Sequence, residues 1–268
     1  MRYVIDHDLH IHSQLSLCSD DPRETPQAIL EYAQKNGLKD ICLTDHYWDE
    51  KVPGMEDFDF YSIQNYAHIT KALPLPQAEG VRFRFGCETE LDKDCVLGVG
   101  PDMLDKFEFI IIPTTHLHMN GFTIKPDDFS LERRAALYIE RLEKVLAMDL
   151  PAHKVGIAHL TCSLMAPEKP EDHLTVLDSI GDDAYRRVFT QLAQKGFGYE
   201  LNFTPGEYTA QELERVLRPY RIAKDCGCKF YFGSDAHDPE RLAEAPAIFE
   251  QIVDLLGLEE NDKFRPFA

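Results

Sequence analysis

The sequence predicts an α/β fold, a barrel of about seven parallel strands built from 268 residues, and three observations predict it. Apolar runs of strand length alternate with longer segments bounded by helix-capping residues, the pattern of parallel strands joined by crossover helices. Each apolar run ends, on its C-terminal side, in residues that ligate metals or move protons: His10 and His12, His46, Glu88, His116, His159, and Asp235 with His237. A doubly wound open sheet gathers such residues only at its switch point, whereas a barrel collects them from every strand end. Finally, 44% of the chain is hydrophobic, enough to bury a large core.

The elements follow in order. The run Tyr3-Val4-Ile5-Asp6-His7-Asp8-Leu9-His10-Ile11-His12 reads as a buried strand ending in a polar loop from Ser13. Thr25 as N-cap and Pro26 at the first helical position open a helix that runs through Ile29, Leu30 and Ala33 to Gly37. Asp40 to Thr44 is a strand ending at Asp45-His46, Val81 to Gly86 one ending at Glu88, and Phe107 to Thr115 one ending at His116. Ser130 starts a helix reaching about Met148, and Lys154 to Ala158 is a strand ending at His159. Asp182 to Lys195 is helical, and Phe197 to Leu201 is a strand ending at Asn202. Thr209 and Glu212 form a capping box for a helix that stops at Gly227. Lys229 to Gly233 is the last strand, and Asp238-Pro239 caps the final helix.

Alternate residues of a strand share a face, so His10-Ile11-His12 directs two imidazoles to one side. Glu88-Thr89-Glu90, His116-Leu117-His118 and Asp235-Ala236-His237 repeat the device. Imidazoles and carboxylates converging at strand ends are donors for zinc, manganese and iron alike. A carboxylate bridging two cations makes a cluster that yields hydroxide near neutral pH and neutralises charge on a phosphoryl group. Asp8 is expected to share the His10 face and hydrogen-bond a ligand imidazole, with Glu90 and His118 in comparable positions. Asp45 either ends its strand or takes part in the chemistry, and Asn202 either orients a ligand or caps a turn. The segments Trp48 to Asp59 and Met119 to Asp128 are expected to shape the pocket mouth.

As a set, His10-x-His12, Thr44-Asp45-His46, Gly86-x-Glu88, His116, Ala158-His159 and Gly233-Ser234-Asp235-Ala236-His237 resemble the PHP (polymerase and histidinol phosphatase) family of metal-dependent phosphoesterases, over nearly the whole chain. The resemblance implies a distorted TIM-like (β/α)7 barrel in one domain, residues 1–268, with two or three divalent cations. It implies that His10, His12, Glu88 and Asp235 hold one cation and that Glu88 bridges to a second, completed by His116 and His159. A third would take His46, His237 and the residue six positions after His12, which is Cys18 where the family commonly has His or Asp. A thiolate is a softer donor that favours zinc, and Asp20 is the alternative. Glu88, Asp235 and His237 are the side chains expected to carry catalysis.

The formal charge of −19, from 28 basic and 47 acidic residues, makes the surface a poor partner for long nucleic acid or an anionic membrane. The seven cysteines are an odd number, and the N-terminal residues show no signal-peptide core, which predicts a reduced cytoplasmic protein. Cys226-Gly227-Cys228 reads as a helix end followed by a strand. No apolar stretch approaches the roughly 20 residues of a membrane span. The expected function is hydrolysis of a phosphate ester of a small molecule or nucleotide, monoester or diester, through a multi-metal-activated hydroxide. Arg23, Lys93, Lys125, Arg186 and Arg187 are cations that either meet the phosphate or lie in surface pairs. The alternatives are an amidohydrolase-type C–N hydrolase, which typically bridges its metals through a modified lysine, and a non-catalytic metal-stabilised domain.

Overall fold

Strand β1 (His7–Ile11), buried along its length, pairs in parallel with β2 (Asp40–Leu43), and β2 with β3 (Arg82–Phe85). The computed structural model describes residues 1–19, 21–55 and 58–267. After β3 the chain kinks at Gly86 and resumes as β4 (Cys87–Glu88). A second parallel sheet then runs from β4 through β5 (Ile110–Pro113), β6 (Val155–Ala158) and β7 (Gly198–Leu201) to β8 (Lys229–Phe232). A side chain on Gly86 would meet the Phe109 carbonyl oxygen at 2.5 Å and Cys42 Sγ at 2.7 Å, so the kink needs glycine.

Two bridges convert these sheets into a ring. His46 pairs with Glu88, carrying the β2 edge onto β4, and Ile11 pairs with Ala236, joining β1 to the end of β8. At that second seam the Asp235 N–H donates to the His10 carbonyl at 2.8 Å, and the His12 N–H donates to the Ala236 carbonyl at 3.0 Å. With β3 and β4 taken as one kinked strand, seven strands close the barrel among the described residues, as expected.

The connections carry α1 (Pro26–Asn36), the short α2 (Asp59–Ser62) and α3 (Tyr66–Ile69), α4 (Leu131–Ala147), α5 (Asp172–Ser179), α6 (Asp182–Lys195), α7 (Ala210–Asp225) and α8 (Pro239–Leu256). Thr25, Ser130, Thr209 and Asp238 cap α1, α4, α7 and α8 through their side chains, where the sequence places them. Helix α5, which lacks a side-chain cap, is not among the expected elements. The first strand begins at His7 rather than Tyr3, because Val4 is half exposed and the Tyr3 N–H pairs with the Leu258 carbonyl. Strand β5 is four residues long, shorter than the apolar run that predicts it.

The barrel interior is filled by Leu9, Cys42, Phe109, Ile111, Ala158, Tyr231 and Phe264. Phe264 arrives from the C-terminal tail, anchored by its N–H on the Phe230 carbonyl at 2.7 Å. This packing leaves the other end of the ring for polar groups. Among the described residues no helix is long and apolar enough to cross a membrane.

Helix α4 fixes the loops that surround that polar end. The buried Arg141 guanidinium donates to the carbonyls of Leu91, Asp92, Thr114 and Thr123 at 2.9 to 3.0 Å. Nearby, Arg134 donates to the carbonyls of Leu117 and Met165. Replacing Arg141 by Met leaves buried carbonyls without a donor. The expected loss is about 3 kcal/mol or more, read as a lower urea midpoint at unchanged slope.

Candidate metal centre

Six imidazoles surround two carboxylates at the C-terminal ends of the strands. Glu88 Oε2 lies 3.0 Å from His46 Nδ1, 3.2 Å from His12 Nε2 and 3.5 Å from His10 Nε2, while Oε1 is 3.1 Å from His159 Nε2. Asp235 Oδ1 lies 3.1 Å from His12 Nε2 and 3.3 Å from His10 Nε2. Ligand atoms fall within 4.8 Å of one another in three groups, two of which share Glu88: His10, Glu88, His159 and Asp235; His12, His46 and His237; and Glu88, Glu90 and His116. Cys18 Sγ is 3.0 Å from His237 Nε2. All the ligand candidates from His10 to His237 therefore meet in one place, Cys18 included. His10 and His12, with Nε2 atoms 3.0 Å apart, both face Glu88 and Asp235, while His12 also stands with His46 and His237, and His159 also stands with His10. Asp20 lies outside the described residues.

The first strand does not alternate strictly. Its register shifts between Asp8 and Ile11, and the expectation that Asp8 supports a ligand imidazole fails for that reason. The Asp8 carboxylate instead accepts the Ser234 N–H at 2.9 Å and the Tyr32 hydroxyl at 3.1 Å, tying β1 to α1 and to the end of β8. Glu200 of β7 takes the role expected of Asp8. Its Oε1 is 2.6 Å from His10 Nδ1, and its Oε2 accepts the His159 N–H at 3.1 Å. Sequence reading missed Glu200, although a lone carboxylate inside the apolar run Phe197 to Leu201 was a usable signal. Asn202, singled out instead, lines a separate crevice with Phe203 and Arg241.

Other side chains orient the remaining rings. Glu90 Oε1 is hydrogen-bonded to His116 Nδ1. Asp45 accepts the Ser13 N–H at 2.7 Å and the Ser16 hydroxyl at 2.8 Å, and Ser16 Oγ is in turn 2.8 Å from His12 Nδ1. Asp45 thus ends its strand and also fixes the His12 ring through Ser16. His118 is exposed at the rim, with its ring centroid 5.3 Å from that of His116. A Cβ on Gly233 would lie 2.3 Å from Glu200 Oε1 and 2.5 Å from the His10 Cβ, so the close approach of β8 to β1 needs glycine. His159 and Asp235 have φ of +59° and +52°. Such left-handed backbone costs a non-glycine residue roughly 1–2 kcal/mol and recurs where a side chain must be aimed at a functional site.

Burial opposes charge on both carboxylates, but the imidazoles overcome it. His46 and His10 hold Glu88, and His10 and His159 hold Asp235, well below the usual carboxylate range. Burial also opposes charge on the rings, yet Glu200, Asp235 and Glu88 raise His10, and Asp235 and Glu200 push His159 up to about 9. His116 is pushed down to about 3 by burial and the neighbouring His159, and His237 to about 4 by burial and His12. Burial and the Glu88 charge push Glu90 up to about 8. Glu88 Oε2 and Glu90 Oε2 are buried without a hydrogen-bond partner. A divalent cation among these rings would satisfy such oxygens, and the nitrogen, carboxylate and thiol donors fit one.

The centre opens into a cavity of about 330 Å³ walled by Phe58, Phe60, Tyr61, Met119 and Leu164. Phe58 stacks on Phe122 at 4.6 Å, so the two segments expected at the pocket mouth meet there. The cations weighed from the sequence pair elsewhere: Arg23 with Asp21 and Glu240, Lys93 and Lys125 with Asp94, Arg186 with Asp225, and Arg187 with Glu143.

Two outcomes follow from these contacts. Glu200→Gln keeps the shape but removes the charge behind His10, and metal affinity should fall about 10- to 100-fold in chelator competition. Affinity should also depend on pH. His10 and His159 have raised pKa values, so they carry protons at neutral pH that a cation must displace. Binding therefore releases protons into weak buffer, and affinity climbs from about pH 6 to about pH 9.

Residues 8–204 match the PHP domain family. No curated protein matches the chain in sequence. Among solved structures, the fold is similar to that of a histidinol phosphate phosphatase from Lactococcus lactis subsp. lactis, complexed with zinc, L-histidinol and phosphate. That likeness has 16% identity, covers 97% of this chain and 99% of the other, and has a TM-score of 0.57. A probable 2-pyrone-4,6-dicarboxylic acid hydrolase from Acinetobacter baumannii, with citric acid bound, is also similar in fold. Here the identity is 13%, the coverage 98% and 97%, and the TM-score 0.52. With a family match over residues 8–204 and the family's motif residues gathered at one end of a closed barrel, the chain belongs to the PHP domain family.

Proposed function

We propose that this chain is a metal-dependent hydrolase of small phosphate esters. The observation that carries the reading is the buried Glu88 carboxylate, with His12 and His46 on one oxygen and His159 on the other. His10, His12, Cys18, His46, Glu88, His116, His159, Asp235 and His237 would hold the cations, which we take to be two or three zinc, manganese or iron ions. Such ions supply a readily ionised water and positive charge opposite the phosphoryl oxygens. The family match supports this reading, as does the fold likeness to a phosphatase complexed with zinc and phosphate.

The chain's own groups divide the remaining work. Glu200, Glu90 and the Asp45–Ser16 pair hold the His10, His116 and His12 rings in place. Asp235 and His237 are only partly buried and face the cavity, in reach of a bound ester. In our reading they would hold, with Glu88, the cations that ease ionisation of the attacking water and offset charge on the leaving oxygen. Among the described residues lining the cavity there is no lysine, which disfavours a lysine-bridged C–N hydrolase. Asp235 and His237 lie beyond the segment that matches the family but complete the same ring, which supports residues 1–268 as one domain. Seven unpaired cysteines support a reducing compartment, in our reading the cytoplasm.

Protein reloaded with Mn²⁺ or Zn²⁺ should hydrolyse p-nitrophenyl phosphate, and Glu88→Ala should lose metal and turnover together. Metal-replete wild-type protein inert across a panel of phosphate esters overturns the reading. Full turnover by Glu88→Ala removes Glu88 from the centre.

A further inference from the structure

We propose that the apolar wall of the cavity is a leaving-group subsite that selects phosphate esters of uncharged aromatic or bulky aliphatic alcohols and rejects esters carrying a second anion. The proposal rests on the reading of the metal centre as a phosphoesterase and adds the substrate class.

The wall stands directly against the donors. Phe60 lies edge-on to His46, with ring centroids 5.4 Å apart, and Tyr61 OH is 3.5 Å from His46 Nδ1. An ester whose phosphate sits among the donors therefore places its leaving oxygen toward Phe58, Phe60, Met119 and Leu164. The wall is also a built structure. Trp48, Tyr61, Met119 and Phe122 form a small core of their own behind it, separate from the barrel core, with Val52, Met55, Phe58 and Phe60 packed on them. Two loops from different crossovers are thereby locked into one rigid face, a firmer surface than mobile loops would offer to an apolar ligand.

Charge points the same way. Among the described residues lining the cavity there is neither lysine nor arginine, while Glu88, Glu90 and Asp235 are present. A second phosphate or carboxylate on the ester, reaching the wall beyond the metal centre, would lose its hydration against aromatic rings with no lysine or arginine in exchange. An ammonium group gains little, because Glu88 and Asp235 already face imidazoles and Glu90 is bonded to His116. An uncharged ring or branched alkyl group loses nothing on entry and buries apolar surface. The volume of about 330 Å³ is at the small end for ligand pockets, which suits one ring and its phosphate.

The test uses non-hydrolysable phosphonates on the full-length, metal-loaded protein, with calorimetry and Trp48 emission as readouts. Trp48 is the single tryptophan and sits 5.9 Å from Tyr61, so it reports on the wall directly. Phenylphosphonate should bind at least about tenfold tighter than methylphosphonate, and phosphonoacetate no tighter than methylphosphonate. Leu164→Ala should shrink the phenyl preference, and Leu164→Lys should shift preference toward phosphonoacetate, both at unchanged metal content. Equal binding of phenyl- and methylphosphonate overturns the proposal. So does tightest binding of phosphonoacetate or of 2-aminoethylphosphonate, or no binding at all by metal-replete protein. Turnover of phenyl phosphate, measured in parallel, separates the two claims. Phenyl-selective binding without hydrolysis of any ester sinks the phosphoesterase reading, whereas hydrolysis with preference for nucleotides or bisphosphates sinks the subsite.

Discussion

A carboxylate buried away from bulk solvent governs this barrel. Glu88 is fully buried, and its charge is tolerable only because imidazoles from β1, the end of β2 and the end of β6 close on it. Bringing them there demands backbone that other residues would not permit. Gly86 kinks one strand, Gly233 lets β8 press against His10, and His159 and Asp235 adopt left-handed backbone. Arg141 and Arg134 then hold the loops that carry the remaining donors. Strain, glycine placement and buried arginines all serve one requirement, convergence at a point.

The polar end works because the rest of the ring is dry. Tyr231, Phe109 and Phe264 fill the interior below the donors, so polar and apolar layers meet abruptly along the barrel axis. The same abruptness recurs sideways, where imidazoles end and the Phe58–Phe60 wall begins. A strongly acidic chain thus contains a pocket whose positive charge would come almost wholly from bound cations.

Much of this was legible in the sequence because strand ends are punctuated by ligand-type residues. His10-x-His12, Glu88 and Asp235-x-His237 carry their meaning in residue type and spacing, and the helix caps at Thr25, Ser130, Thr209 and Asp238 state their roles locally. Where the reading failed, the cause was a departure from a periodic rule. The register shift in β1 turned Asp8 away from the site. Glu200 was overlooked because a charge inside an apolar run is conspicuous only once the run is known to line the barrel. Nor does the sequence reveal that Phe58 and Phe122 will stack, since they lie on separate loops.

The seam between the first and last strands has a bearing on how the protein comes into being. Asp8 waits for Ser234, 226 residues further along the chain. During synthesis the emerging polypeptide displays its paired histidines almost from the start, but the ring stays open until the final strand leaves the ribosome. A chain that lacks the last strand would still carry His10, His12, His46, Glu88, His116 and His159, but would lack the Asp235 and His237 that complete the set. Retention of a bound cation would then report that the last strand is in place.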